Sequence, residues 1–345
     1  MSGWSNVPGM LRPGMRQIWI SRAGGPDVLE VREAPDPTPG PGEVRIAVEA
    51  AGINFADLVA RTGMYQDAPP IPFVVGYEVS GTIDAVGKGV SESRVGEPVI
   101  AMCRFGGYSS MRVVPATQAA RRPAGMSAIE GASIPVTYLT AWMMLRVFTR
   151  PSPGDRVFVH SAGGGVGLAA LDLLIDSGCE TWGSAGRSKH GFLKERGYTH
   201  VVDGHASEWP AEKMDIVLDA VGGASWAQGL DHLRAGGRLV CFGFSTMTGE
   251  KRSLLSALKG LASVPWTRIN PITLMNENKG VLGVNMGHLW DEGDRVGSWL
   301  GSILELYEQG KIRPHVHAAF PFDRAAEAHS VLHRRENVGK VVLVP

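Results

Sequence analysis

The sequence predicts a two-part α/β chain, a barrel-like unit of short strands interrupted by a doubly wound parallel sheet. Three observations predict it. Short strands punctuated by turns occupy residues 17–102. Near Thr137 the pattern changes to strands that are apolar on both faces and alternate with helical segments, as in a parallel sheet covered on both sides. A glycine run, Gly163-Gly164-Gly165-Val166-Gly167, stands directly after the first of those strands and opens a helix.

The bulk properties agree. A chain of 345 residues has room for two domains. Its 44% hydrophobic and 20% charged residues are ordinary for a globular protein. Lys plus Arg equals Asp plus Glu at 34 each, so no global field favours nucleic acid or an anionic membrane. Cys103, Cys179 and Cys241 are far apart and form no Cys-x-x-Cys pair, which excludes a disulfide framework and a four-cysteine zinc lobe. That usage fits a reducing cytoplasm, the expected location. Residues 1–15 carry Gly, Pro and Ser without an apolar core, so they read as a flexible tail and not a signal peptide. No stretch is apolar for long enough to span a bilayer, and no fixed-period repeat suggests a solenoid.

Taken in order, residues 17–21, 28–32 and 43–50 read as strands, the last alternating Val44, Ile46 and Val48 against charged neighbours. The proline-rich stretch 35–42 between them is loop, because proline removes donors and fixes φ. Residues 55–61 predict a short helix, and 79–86 and 97–102 further strands separated by Gly87 and Gly89. Residues 137–148 predict a helix, 157–159 a buried strand, and Leu168, Leu171 and Leu174 one face of a helix ending near Gly178. Strands are expected at 181–185, 200–202, 216–218, 238–243 and 281–284, helices at 298–309 and 324–334, and a last strand at 340–344. The closing elements resemble the first half. The organisation expected is therefore a tail (1–15), a first domain made of 16–136 and 285–345, and a nucleotide domain (137–284) inserted into it.

The glycine run carries the functional signal. Glycine at Gly164 lets the backbone approach a pyrophosphate, and Gly167 lets helix and strand pack closely, with helix N-terminal amides facing the anion. A plain glycine-rich turn is the simpler alternative, but the strand–glycine–helix context favours a Rossmann dinucleotide site. The second strand ends Gly183-Ser184-Ala185-Gly186-Arg187-Ser188-Lys189, with no acid before Glu195. An NAD site usually has an acid there for the ribose. Here Arg187 and Lys189 supply charge and Ser184 and Ser188 hydroxyl donors, which favours NADPH over NADH. A solvated basic loop remains the alternative.

Several separated segments then carry a family resemblance. They are Ala51-Gly52-Ile53-Asn54-Phe55-Ala56-Asp57-Leu58, Arg61-Thr62-Gly63-Met64-Tyr65, Val136-Thr137-Tyr138-Leu139-Thr140-Ala141-Trp142, the glycine loop, residues 183–190, and Asn337-Val338-Gly339-Lys340-Val341-Val342-Leu343. From about Met15 onward the chain resembles the zinc-free quinone oxidoreductases of the medium-chain dehydrogenase/reductase superfamily. Ser188-Lys189-His190 and Gln309-Gly310-Lys311-Ile312-Arg313-Pro314-His315 resemble the synaptic vesicle membrane protein VAT-1 homologue branch. The resemblance implies a GroES-like catalytic domain, a Rossmann domain, a cleft between them and a homodimer. It implies that Asn54 and Thr140 lie beside the nicotinamide, and that Gly164, Gly165, Val166 and Gly167 hold the pyrophosphate. It further places Ser184 and Lys189 at the adenosine phosphate, with Phe242-Gly243 and Leu282 to Val284 flanking ribose and carboxamide. Asn337 and Lys340 would complete the site. One departure stands out: the family often has a tyrosine where Gly204 follows Asp203, so one phosphate contact is expected to be missing.

The zinc enzymes of the superfamily have a cysteine near Asn54 and a Gly-His-Glu. Here Asn54 and Gly76-Tyr77-Glu78 stand instead, and neither asparagine nor tyrosine suits catalytic zinc. His315-x-His317 and the pair His329 and His333 lack an evident third ligand and read as ordinary surface or partly buried histidines. No metal is expected. Without one, hydride transfer to a quinone or to the β-carbon of an enone remains reasonable, with donors stabilising charge on the carbonyl oxygen. Asn54, Asp57, Tyr65 and Tyr77 are candidates for that polar wall. Asn54 also suits a helix cap, Asp57 a structural role, and water can serve as proton donor.

Residues 249–276, with Leu254, Leu258 and Leu261 on one helical face among lysines and arginines, suit either a membrane-touching element or a helix at a dimer interface. The expectation is thus an NADPH-dependent quinone or enone reductase acting on a small molecule as a homodimer. The alternative is a nucleotide-binding protein with a membrane or partner role and weak turnover; an enoyl-thioester reductase would differ from the first only in substrate.

Overall fold

The computed structural model describes residues 14–204, 209–245, 266 and 269–345. Most of residues 249–276, including Leu254, Leu258 and Leu261, and the tail up to residue 13 lie outside the described residues. The first unit begins with β1 (Met15–Ile20), β2 (Leu29–Ala34) and β3 (Glu43–Gly52), followed by α1 (Phe55–Arg61). It continues through β4 (Phe73–Val74), β5 (Glu78–Val86), β6 (Pro98–Met102), β7 (Met111–Pro115) and β8 (Ala119–Arg121). β3 shows the alternation the sequence predicts: Val44, Ile46 and Val48 are buried while Glu43, Arg45 and Glu49 are not. β4, β7 and β8 were not expected; they are two to five residues long and carry too little pattern to read.

The short helix α2 (Ala128–Gly131) leads to α3 (Pro135–Trp142), which continues as π-helical turns to Thr149. Proline at the first turn sets this start, two residues before the expected one, where its missing N–H costs nothing. The nucleotide-type sheet follows: β9 (Arg156–Val159), α4 (Gly165–Asp176), β10 (Glu180–Ala185), α5 (His190–Arg196) and β11 (His200–Asp203). Then come β12 (Met214–Asp219), α6 (Ala224–His232), β13 (Leu233–Cys241), α7 (Pro271–Glu277) and β14 (Gly280–Gly283). The sheet is parallel in the order β11-β10-β9-β12-β13-β14. This is the doubly wound order whose crevice opens between its first and fourth strands, here β9 and β12. Val157, Phe158, Val159, Val217, Leu218, Leu239 and Val240 are fully buried, as strands covered on both faces must be.

The chain closes with α8 (Gly293–Glu308), β15 (Val316–Pro321), α9 (Ala325–His333) and β16 (Lys340–Val344). α8 follows the expected boundary at residue 285, yet its Leu300, Ile303 and Leu304 pack into the second core with Leu139 and Leu168. β16 returns to the first unit, antiparallel to β3 and parallel to β15. The large sheet of that unit runs β15-β16-β3-β5-β6-β8, with β7 also on β3. A second stitch joins the units: Gly339 bridges to Gly164, its N–H donating to the Gly163 carbonyl at 2.8 Å.

Candidate functional site

A cleft of about 640 Å³ opens between the units where β9 ends. Its wall on the sheet side is the glycine loop. The Ala162 N–H donates to the Ser184 carbonyl at 3.0 Å, tying the loop to β10. A Cβ at Gly167 would stand 2.6 Å from the Ala162 oxygen, so only glycine allows α4 this approach to the strand. Gly164 caps α4 and the amides behind it face the cleft.

The floor comes from the first unit. Lys340, at the start of β16, donates from Nζ to Asn54 Oδ1 and to Glu78 Oε1, both at 2.5 Å. Asn54 Nδ2 donates to the same Glu78 oxygen at 2.8 Å, and the Val136 N–H at the start of α3 donates to Oε2 at 2.8 Å. The Lys340 and Glu78 side chains are 4% and 0% exposed, which makes this a buried, hydrogen-bonded ion pair. Asn54 also caps α1, but through its backbone: its N–H donates to Asp57 Oδ2 at 2.7 Å.

Behind the floor, Tyr108 donates to Asp57 Oδ2 at 2.8 Å and meets His329 Nε2 at 3.1 Å, while Arg61 lies 3.5 Å from His329 Nδ1. Burial pushes the Asp57 carboxyl up to about 7, against the hydrogen bonds from Asn54 and Tyr108. Burial also holds His329 well below its ordinary value, with the Arg61 charge adding to the effect. His329 is therefore a fully buried, neutral group and not the surface or partly buried histidine expected.

At the far end Ser184, Ser188, Lys189 and Gly204 face Arg334, Arg335, Glu336 and Asn337. Lys189 crosses the gap, donating to the carbonyls of Arg335 at 2.8 Å and Asn337 at 2.5 Å. Burial, then the Arg335 charge, lower its pKa. Arg187 is 79% exposed and pairs with Asp203 at 2.6 Å.

Of the residues singled out in the sequence, the cleft brings together Asn54, Gly164, Gly165, Val166, Ser184, Lys189, Asn337 and Lys340. Gly167 lies beneath the loop. Thr140 is buried and donates to the Val136 carbonyl. Phe242, Gly243, Leu282 and Val284 stand beyond the cleft lining, where the Val284 N–H donates to the Cys241 carbonyl at the ends of β13 and β14. Asp57 is fully buried and does not reach the cleft. Tyr65 and Tyr77 meet edge to face at 6.4 Å, and burial raises both phenols, so each stays a donor. Sequence reasoning missed Glu78 as the partner of Lys340, Tyr108 as the partner of Asp57, and His329 as the partner of Tyr108. The first had a signal, an acid following Gly76-Tyr77. The others, 51 and 272 residues from Asp57 in sequence, had none. Among the described residues no group of three or more His, Cys, Asp or Glu is arranged to hold a metal.

Two outcomes are expected. Lys340→Met leaves Glu78 buried and uncompensated and should cost about 3–5 kcal/mol in urea unfolding, most of it recovered in the double variant with Glu78→Gln. For Asp57 the folded value lies above the unfolded one, so its contribution is full below about pH 4 and is lost as pH rises through 7. Between pH 5 and pH 8 the stability of the wild type relative to Asp57→Asn should therefore fall by about 2 kcal/mol. A flat difference would contradict the protonated acid.

Comparison with known proteins places this architecture. Residues 40–126 match the alcohol dehydrogenase GroES-like domain family and residues 196–343 the zinc-binding dehydrogenase family. The human synaptic vesicle membrane protein VAT-1 homologue is 37% identical over 344 residues, 96% of this chain and 86% of that protein. A mycobacterial protein solved in complex with NADPH superposes with a TM-score of 0.82 at 28% identity, over 96% of this chain and 100% of that one. A quinone oxidoreductase from Pseudomonas syringae pv. tomato gives 0.82 at 26% identity, over 96% and 100%. Among the described residues no helix is long and apolar enough to cross a membrane. With a GroES-like unit, a doubly wound sheet and a relative this similar along nearly its whole length, the chain belongs to the VAT-1 homologue family of medium-chain dehydrogenase/reductases.

Proposed function

We propose that this oxidoreductase uses NADPH to pass hydride to a quinone or an α,β-unsaturated carbonyl compound, without zinc. The observation that carries the reading is the glycine loop at the sheet crevice, facing a cleft whose far end presents Lys189 and no acid at the end of β10. The residues present fit the nucleotide. A Cβ at Gly163 would press on the Lys189 stem and one at Gly164 on the Ser161 carbonyl, so the pair leaves open a cradle for a pyrophosphate. Gly165 and Val166 supply its helix end, with Gly167 beneath them, and Lys189 and Ser188 the charge and donor for a 2′-phosphate, with Arg187, paired to Asp203, adding charge from outside the lining. Asn337, Lys340 and Thr140, with Phe242, Gly243, Leu282 and Val284 at the strand ends, would border the ribose and nicotinamide.

The bound nucleotide supplies the hydride. The protein holds the acceptor and stabilises charge on its oxygen. Tyr65 and Tyr77, which stand beyond the cleft lining, are the donors proposed for that purpose, since burial keeps their protons on. Asn54 acts as a positioning residue, because Lys340 and Glu78 already engage both ends of its amide. Asp57 supports it from behind. With asparagine and tyrosine where the zinc enzymes have cysteine and histidine, and Lys340 supplying the cation at the floor, the donor set suits no zinc.

The nucleotide domain also presents an open edge, because β14 pairs only with β13 among the described residues, beside exposed Ile272 and Met275. We infer a homodimer through that edge, in the cytoplasm. These exposed apolar side chains equally favour a second reading, a partner- or membrane-contacting protein with weak turnover.

NADPH oxidation followed by absorbance against quinones, enones and enoyl thioesters tests the reductase. Turnover preferring NADPH is expected, and Lys189→Met should weaken NADPH about tenfold while leaving NADH nearly unchanged. Equal use of both nucleotides would remove the role of Lys189. Absence of turnover together with binding to lipid vesicles would favour the second reading. Light scattering should give twice the chain mass of 36.8 kDa, and a monomer would remove the dimer.

A further inference from the structure

His160 ends β9 beside the glycine loop and borders the cleft, with its side chain 13% exposed. Its ring packs edge-on against Phe158 at 4.9 Å and Trp209 at 5.2 Å. Nδ1 lies 3.2 Å from Ser184 Oγ, and Nε2 is buried without a hydrogen-bond partner, 3.7 Å from Asp219 Oδ2. Asp219 is itself held by three donors: the N–H groups of Val221 and Gly222 and the Ser225 hydroxyl. Burial, opposed by the Asp219 charge, lowers the His160 pKa, so the ring is neutral and carries one N–H.

The geometry assigns that proton. A bare Nε2 lone pair turned toward a carboxylate in a dry site would be repelled, so the hydrogen sits on Nε2 and Nδ1 is the acceptor. Ser184 therefore donates its hydroxyl proton to His160. What Ser184 then shows the cleft is lone pairs, and among the described residues nothing else engages Oγ.

We infer that His160 is a positioning residue for nucleotide choice: by holding the Ser184 proton it makes Ser184 an acceptor, suited to a ribose hydroxyl and opposed to a phosphate monoester. This rests on the cofactor reading above and refines it. The serine expected from sequence to donate to the 2′-phosphate instead favours a nucleotide lacking it, and Lys189 must outweigh it.

The test compares dissociation constants for NADPH and NADH, by nucleotide fluorescence, in wild type, His160→Phe, Ser184→Ala and the double variant. Phenylalanine keeps the ring packing and frees the serine hydroxyl to donate to the phosphate. The ratio of NADH to NADPH dissociation constants should rise about tenfold, the worth of one charge-assisted hydrogen bond. Ser184→Ala alone, which removes the acceptor, should raise the ratio a fewfold, and the double variant should match it. A fall in the ratio for Ser184→Ala would mean that the serine donates to the phosphate and would overturn the assignment. So would an unmoved ratio in His160→Phe, or equal weakening of both nucleotides, which is what a packing defect gives. If the wild type binds neither nucleotide the cofactor reading itself fails, and this inference with it.

Discussion

The pairing of Lys340 with Glu78 is the interaction on which the cleft depends. It joins the start of β16 to the start of β5, orients the Asn54 amide before α1, and through the second Glu78 oxygen receives the first turn of α3. Four elements thus meet on two buried side chains. In so dry a place neither charge is tolerable without the other, and the geometry is held by the hydrogen bonds as much as by the charges. Gly339, one residue before Lys340, is stitched to the glycine loop, so the same short stretch fixes the floor and the wall.

The groups around this pair are polar yet largely uncharged. Desolvation favours the protonated form of Asp57, keeps the Tyr108 proton on and keeps a proton off His329. His160 on the opposite wall follows the same rule. Hydrogen-bond direction, rather than net charge, therefore carries the information in both walls. A neutral histidine chooses one donor and one acceptor, and its neighbours must take the complementary roles.

Much of the fold was legible because long-period signals survive in a single chain. α1 and β16 fall on the residues predicted, and the parallel sheet was readable from its apolar strands and the glycine loop. β4, β7 and β8 were not, since strands of two to five residues, one ending at Pro115, have too few positions to alternate. The packing of α8 into the second core was hidden because its apolar face is compatible with either unit. At the site, residues local to a motif could be named, Asn54 and Lys340 among them. Their partnership, across 286 positions, left no trace in spacing, and neither did the Asp57, Tyr108 and His329 cluster. The contact between Ser184 and His160, and that of His160 with Asp219 on a third strand, left no trace in spacing either.

The placement of Lys340 near the C-terminus bears on how the chain is made. During synthesis Glu78 and Asn54 leave the ribosome long before the residue that completes them, and β3 waits equally long for β16. The strands of the parallel sheet all lie between residues 156 and 283, so they are complete before β16 is made. Vectorial synthesis would then assemble the inserted sheet while the unit that surrounds it is still open, with an uncompensated acid at its centre. That order gives the nascent first unit a long exposure to chaperones and proteases, and it ends only when β16 arrives.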